Sequence, residues 1–295
     1  MAETQPLSSK RLPPWFKVRF PAGENYSRIK GLLRSHKLNT VCEEARCPNI
    51  GECFNHGTAT FMILGDTCTR SCGFCAVNSG RPGPLDEAEP ERIATMVKAL
   101  RLSYVVITSV NRDDLPDGGA SVFAACIRRI REASPESRVE VLIPDLLGDW
   151  DALATIVEAR PAVLNHNIET VPRLYLRVRP KAVYARSLEL LAEVKRLAPA
   201  MTAKSGLMVG LGETWEELLA TMEDLRRVDC DLLTIGQYLR PSPKHLPIDR
   251  FYTPKEFADL GEVGHRMGFR HVESGPLVRS SYHASQQAQE RYDTI

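Results

Sequence analysis

From Thr60 onward, short apolar runs alternate with amphipathic stretches in a steady rhythm. The runs fall at 61–64, 104–108, 139–143, 163–167, 205–211 and 232–235. Helical periodicity follows each of them, at 91–101, 119–133, 150–159, 185–198, 214–228 and 254–267. Nearly continuous runs of this length read as strands covered on both faces, which is the pattern of a parallel sheet with helices outside it. The fifth helix has a start signal: Thr214 and Glu217 form an S/T-x-x-E capping box just after Gly210 and Gly212. Six strand–helix units predict an α/β fold, a partial (β/α)6 TIM-like barrel that is three quarters of the closed eight-unit form. Periodicity alone also admits an open doubly wound sheet. In both architectures ligands sit at the carboxyl ends of the strands. There the sequence places Asn111-Arg112-Asp113-Asp114, Asn165-His166-Asn167 with Glu169, Gly210-Leu211-Gly212-Glu213 and Gln237.

Residues 1 to about 20 form a proline-interrupted lead-in (Pro13, Pro14, Pro21), with Trp15 and Phe16 as its expected anchors. Residues 24–57 carry little strand pattern.

Composition narrows the function classes. With 295 residues, 43% hydrophobic and 25% charged, the chain sits in the ordinary globular range. Its 38 Lys and Arg against 37 Asp and Glu leave no electrostatic footprint for nucleic acid or an anionic membrane surface. No apolar run is long enough for a membrane span, and the first residues lack the apolar segment of a secretory leader. A cytoplasmic location is expected, where clustered cysteines serve as metal ligands or catalysts rather than disulfides.

Six of the eight cysteines fall into two triplets. Cys42, Cys47 and Cys53 are spaced C-x4-C-x5-C; Cys68, Cys72 and Cys75 are spaced C-x3-C-x2-C on the loop after the first strand. Three protein thiolates leave a coordination position open for something else. Structural zinc takes four ligands, usually in C-x2-C pairs, and fits this spacing poorly; His56 is the nearest residue able to complete such a set.

The second triplet, with Phe74 immediately before Cys75, resembles the signature of radical S-adenosylmethionine enzymes. That resemblance implies a 4Fe–4S cluster whose fourth iron chelates S-adenosylmethionine, from which one electron releases a 5′-deoxyadenosyl radical able to attack an unactivated C–H bond. The first triplet, within Val41-Cys42-Glu43-Glu44-Ala45-Arg46-Cys47-Pro48-Asn49-Ile50-Gly51-Glu52-Cys53, extends the resemblance to the lipoyl synthase family. So do Arg112-Asp113-Asp114-Leu115-Pro116-Asp117-Gly118-Gly119, His166-Asn167-Ile168-Glu169-Thr170-Val171-Pro172, Gln237-Tyr238-Leu239-Arg240-Pro241 and Arg279-Ser280-Ser281-Tyr282. Membership would imply a second, auxiliary 4Fe–4S cluster on Cys42, Cys47 and Cys53, with Ser281 as its fourth ligand and Ser280 as the alternative. It would imply insertion of two sulfur atoms, drawn from that cluster, at C6 and C8 of an octanoyl chain on a lysine of a lipoyl carrier protein. The two clusters are themselves the catalysts in that scheme, with no side-chain acid or base assigned. The implied partners are octanoylated carriers (glycine cleavage H protein or acyltransferase E2 lipoyl domains), an electron donor such as ferredoxin or flavodoxin, and an iron–sulfur carrier. A monomer is expected. The corresponding division is 1–57 as an N-terminal extension, 58–275 as the barrel and 276–295 as a C-terminal segment.

Other residues keep two readings. Phe74, Asn167, Glu169, Gly210 and Gly212 are candidates to contact S-adenosylmethionine; Asn167 and Glu169 equally suit loop caps, and the glycines an ordinary strand-to-helix turn. Arg112, Asp113 and Asp114 either clamp the methionyl group or form a solvated loop. Lys204 either neutralises a carboxylate or lies on the surface. Cys126 and Cys230 read as buried small hydrophobes. Two rival functions stand beside the main one. A biotin synthase-like sulfur-inserting enzyme is disfavoured by the position of the first triplet. An iron–sulfur scaffold or electron carrier would close each cluster with four thiolates and would not need so large a βα platform.

Overall fold

The structure is a computed structural model that describes residues 12–17, 24–35, 39–40, 43, 47, 49–55 and 59–289. All six expected strand–helix units are present. The parallel strands are β2 (Ala59–Ile63), β5 (Tyr104–Ser109), β6 (Arg138–Leu142), β7 (Val163–Asn165), β8 (Thr202–Val209), β9 (Leu232–Gln237) and β10 (His271–Gly275). The two-residue β1 (Asn39–Thr40) runs antiparallel along the outer edge of β2, and a separate pair, β3 (Thr67–Cys68) and β4 (Asn78–Ser79), flanks the second cysteine triplet. The order β1-β2-β5-β6-β7-β8-β9-β10 is sequential and leaves an edge at each end, as a partial barrel requires. The seventh parallel strand, β10, goes beyond the six units read from the sequence. Only Val272 of its five residues is buried, so it carries no apolar run to betray it.

Strand alternation sorts side chains between two cores. Val105, Ile107 and Leu164 face the surrounding helices in the main core. Tyr104, Val106, Val163 and Leu232 face the barrel interior instead, where they pack with Ala284 and Ala288. These last belong to the helix Ala284–Gln289, which therefore fills the amino-terminal mouth of the barrel. The Thr214–Glu217 capping box forms as expected, and Thr253 and Glu256 form a second at the helix Pro254–Arg266. Phe16 is buried and meets Phe251 at a ring separation of 5.4 Å, anchoring the lead-in. Cys126 and Cys230 are fully buried, the role read for them from the sequence. Among the described residues no helix is long and apolar enough to cross a membrane.

Above the floor lies a buried polar layer. Lys204 Nζ donates to Glu140 Oε1 at 2.9 Å, and Tyr104 Oη donates to Glu140 Oε2 at 2.7 Å. Both charged side chains are sealed from solvent, which decides between the two readings of Lys204: it neutralises a carboxylate. Burial, then the Glu140 charge, pushes the Tyr104 hydroxyl far above its usual range. His166 sits past the end of β7, with Nδ1 2.9 Å from the Ile143 carbonyl and Nε2 2.9 Å from Ser187 Oγ. The carbonyl can only accept, so Nδ1 carries the proton and Nε2 accepts from the serine.

Two outcomes are expected. Lys204→Met strands a buried carboxylate and should lower unfolding free energy by about 3–5 kcal/mol, with much of the loss recovered in Lys204→Met/Glu140→Gln; denaturant titration measures both. Burial holds the His166 pKa down at about 4. The unfolded chain therefore binds the extra proton first as pH falls below about 6.5, and the stabilisation present at neutral pH drains away toward pH 4. The stability gap between the wild type and His166→Gln should narrow by about 3 kcal/mol between pH 7 and pH 4, read by urea unfolding at each pH.

Candidate functional site

The loop after β2 holds Cys68, Cys72 and Cys75 over the carboxyl ends of the strands, and it has little apolar surface of its own. Polar braces pin it in place. Arg70, almost fully buried, donates from Nε and Nη2 to the two carboxylate oxygens of Asp113 at 2.8 Å each, and from Nη2 to Asp145 Oδ1 at 2.6 Å. Its charge is correspondingly favoured, and Asp145, despite burial, is held down at about 2 mainly by Arg70. Gly73 N donates to Val178 O, Leu246 N to Gly73 O, and His245 Nε2 lies 3.0 Å from Cys75 O. The Cys68 sulfur accepts from Arg70 N and Asn111 N at 3.4 and 3.3 Å. Arg112 is buried and braced by Asp114, Leu64 O and Gly83 O. Within the 112–114 run Arg112 and Asp113 are structural ties, and Asp114 alone is exposed as a solvated loop would have it.

The loop cysteines lie within electrostatic reach of one another and of Glu169. Burial pushes the Cys72 thiol up and the Cys75 thiol to about 11, while the Arg179 guanidinium beside Cys72 works the other way. Metal binding must therefore displace protons from these thiols. Among the described residues no three His, Cys, Asp or Glu side chains are gathered tightly enough for a single ion. A tetranuclear cluster asks for something else, thiolates spread over separate irons.

Beside the loop, Asn167 Nδ2 donates to Glu169 Oε1 at 3.1 Å and to Ser280 Oγ at 2.8 Å. Arg179 Nη1 donates to the Asn167 carbonyl at 2.9 Å. Burial raises the Glu169 pKa, opposed by Arg179. Several buried polar atoms here lack any partner: both side-chain atoms of Asn165, Oδ1 of Asn167, Oγ of Ser109 and Nε of Arg179. Orphaned donors and acceptors at strand ends ask for a polar ligand. The two glycine candidates differ from these. A Cβ on Gly210 would lie 2.0 Å from Gln237 Nε2 and 2.6 Å from Arg250 O, so this glycine (φ +97°) is required by the turn itself. Gly212 faces Asp249. Phe74 is partly buried against the core.

The first triplet is only partly described, since Cys42 lies outside the described residues. Cys47 and Cys53 are half-buried, and Cys53 lies in the short helix Ile50–Asn55. The C-terminal segment returns to this peptide. Asn49 Nδ2 donates to Leu277 O at 2.7 Å, and Tyr282 Oη donates to Glu52 at 3.2 Å. Burial raises the Cys47 thiol, and Arg279 acts against that rise. Arg279 thus favours thiolate at the first triplet, and Arg179 with Arg70 at the second. The segment reaches this place by passing over Gly236, where a Cβ would come within 2.1 Å of Val278 O. Ser280 is committed to Asn167, whereas Ser281 lies next to it on the segment that meets the Cys47–Cys53 peptide.

The braces formed by Arg70, Arg179 and His245 escaped the sequence reading, which placed Asn165 at its strand end without giving it a role. Arg70 had a signal, as the one arginine inside the C-x3-C spacing; His245 had none.

Comparison with known proteins bears on this geometry. A family model described as "Radical SAM superfamily" matches residues 62–225, and one described as "N-terminal domain of lipoyl synthase of Radical_SAM family" matches 2–47. The lipoyl synthase of Rubrobacter xylanophilus is 62% identical over 278 residues, covering 94% of this chain and 87% of that relative. That of Roseiflexus sp. is 56% identical over 282 residues, covering 96% and 94%. Among solved structures, the FeFe-hydrogenase maturase HydG from Carboxydothermus hydrogenoformans aligns with a TM-score of 0.58 at 15% identity, covering 90% of this chain and 68% of that one. Methylornithine synthase (PylB) aligns at 0.55 and 15%, covering 84% and 74%; at such identity these two speak for the fold alone. Two cysteine triplets, a partial barrel and near-full-length identity above half agree: the chain belongs to the lipoyl synthase family of radical S-adenosylmethionine enzymes.

Proposed function

We propose that the chain installs two sulfur atoms at C6 and C8 of an octanoyl group carried on a lysine of a lipoyl carrier protein, with the following division of roles among its residues. Cys68, Cys72 and Cys75 hold the radical cluster; Cys42, Cys47, Cys53 and Ser281 hold the auxiliary one. Asn167 and Glu169 contact S-adenosylmethionine. The observation that carries this reading is the chain Ser280–Asn167–Glu169. It joins the segment lying against the Cys47–Cys53 peptide to the polar strand end beside the radical loop, which supports two sites serving one substrate.

When bound, the two clusters and S-adenosylmethionine supply hydrogen abstraction and sulfide, chemistry that no side chain can provide. The protein supplies position. Arg70 fixes the loop, so that the three thiols keep their spacing. Arg179 beside Cys72 and Arg279 beside Cys47 stabilise thiolate against burial. Asn167 has its amide nitrogen committed to Ser280 and Glu169, leaving Oδ1 to accept from a ribose hydroxyl. The side chain of Asn165 and the Ser109 hydroxyl line the same strand ends with unused capacity. A helix-filled floor keeps water from entering the cavity from below, which protects a short-lived carbon radical from side reactions. Held by Cys42, Cys47 and Cys53, the auxiliary cluster would supply sulfide without a diffusional search. Octanoylated H protein or E2 lipoyl domains are the expected carriers, with ferredoxin or flavodoxin as reductant and an iron–sulfur carrier to rebuild the auxiliary site.

Anaerobically reconstituted protein should hold about eight irons, falling to about four in Cys68→Ala/Cys72→Ala/Cys75→Ala, by iron and sulfide analysis. Incubated with an octanoyl-lysine carrier, reductant and S-adenosylmethionine, it should add the mass of two sulfurs with about two 5′-deoxyadenosines per product. Deoxyadenosine without sulfur on the carrier would point to another acceptor. Ser281→Ala should keep deoxyadenosine formation but lose sulfur transfer by about 10–100-fold, while Ser280→Ala keeps the auxiliary irons; chromatography of the nucleoside and mass spectrometry of the carrier separate the two.

A further inference from the structure

The segment between β7 and the helix Tyr184–Leu197 is unlike the rest of this near-neutral chain. Residues 171–188 contain five basic residues and no acidic one. Leu176 is 80% exposed and Val183 45% exposed, two of the few large apolar side chains left in solvent. The nearby turn Leu146–Gly148 adds Leu147, 53% exposed and held outward at a φ of +54°. A non-glycine residue in that conformation is costly, and such strain concentrates at working surfaces. Arg186 ties this turn to the helix by its contact with Asp145 at 3.4 Å. Asp113 and Asp145 are engaged by Arg70 and Glu217 by Arg173, while the exposed Asp149 beside Leu147 caps the helix Trp150–Glu158. Arg177 makes no ion pair among the described residues, and Lys181 donates only to the Thr69 carbonyl. With Arg173 and Arg186 paired and Arg179 turned inward, Arg177 and Lys181 leave positive charge beside the exposed Leu176 and Val183.

Its position is specific. Gly73 N donates to Val178 O, and Lys181 Nζ reaches Thr69 O at 2.8 Å, so the segment is bonded to the radical cysteine loop at two points. β7 is also an interior strand of the sheet, whereas the auxiliary peptide meets the C-terminal segment near β1 and β10, at the two edges. A carrier protein must deliver its acyl chain where both clusters can reach it. An electron donor needs only the radical cluster.

Resting on the radical reading above, we propose that the face formed by Leu176, Arg177, Lys181 and Val183, with Leu147 beside it, docks a small acidic one-electron carrier protein. One electron leaves that donor, which is oxidised, and enters the iron–sulfur group at Cys68, Cys72 and Cys75, which is reduced; no atom or proton crosses the interface. Electron-transfer contacts are small and transient, and opposite charge steers them. An apolar centre with a basic rim suits that use.

The test compares two reductants on the reconstituted holoenzyme and Leu176→Asp/Arg177→Glu, neither residue having a part in the binding machinery. With a reduced acidic [2Fe–2S] ferredoxin at low ionic strength, 5′-deoxyadenosine formation should fall at least about tenfold in the variant. Ferredoxin binding by titration should weaken by a similar factor. With dithionite, which needs no docking face, the two proteins should match. Unchanged ferredoxin rates overturn the proposal. Equal loss with dithionite also overturns it, since the face would then only support the loop. A selective rise in KM for the octanoyl carrier, with ferredoxin rates intact, assigns the face to the carrier instead. Wild-type holoenzyme giving no deoxyadenosine with dithionite would remove the radical reading itself, a failure distinct from the others.

Discussion

A loop made largely of cysteine, glycine and small polar residues buries too little apolar surface to hold its own shape. In this chain the Arg70 guanidinium solves that problem. It bonds Asp113 after β5 and Asp145 after β6 at once, so the loop after β2 is tied to the ends of the next two strands. A rigid planar fork does this where a lysine could not, because it aims several donors in fixed directions. Everything functional at the top of the barrel depends on the tie: the spacing of the thiols, the place of Cys72 beside Arg179, and the reach to Glu169. The ion pair is buried, so its worth lies less in net stability than in fixing one geometry among many.

Electrostatics then separates the two metal sites by degree. Burial opposes thiolate at Cys47, Cys72 and Cys75; Arg279 leans against that opposition at the first triplet, and Arg179 with Arg70 at the second. At Cys47, Cys72 and Cys75 burial thus favours the thiol over the thiolate, which is the form that reacts with oxidants. Cluster assembly and proton release are one event.

The strands and helices of the barrel were legible because their apolar residues repeat with the period of the element they form. The capping box at Thr214 was legible for the same local reason. The cysteine spacing was legible because it is written in the sequence itself, and the family it pointed to is the one the relatives share. What escaped was anything fixed by distant pairing. β10 has a single buried residue and is a strand only because β9 lies beside it. Lys204 reads equally as a surface charge or a carboxylate's partner until Glu140 is placed opposite it on another strand. Gly236 looks like an ordinary strand glycine, and only the passing Val278 carbonyl shows that no side chain fits there. Arg112 and Asp113 look like a polar loop, and their partners Leu64, Gly83 and Arg70 lie far away in sequence.

The helix that fills the barrel floor also has a place in time. Asn49 and Leu277 are bonded across 228 residues of chain. At ordinary rates of synthesis the auxiliary cysteines leave the ribosome about 10–50 seconds before the segment that packs against them. During that interval the floor is open, the Ala284–Gln289 helix is unmade, and the first triplet has no C-terminal neighbour. The nascent chain therefore passes through a stage in which both cysteine groups are open to the medium, and its final turns of helix close the interior only after every strand has been laid down.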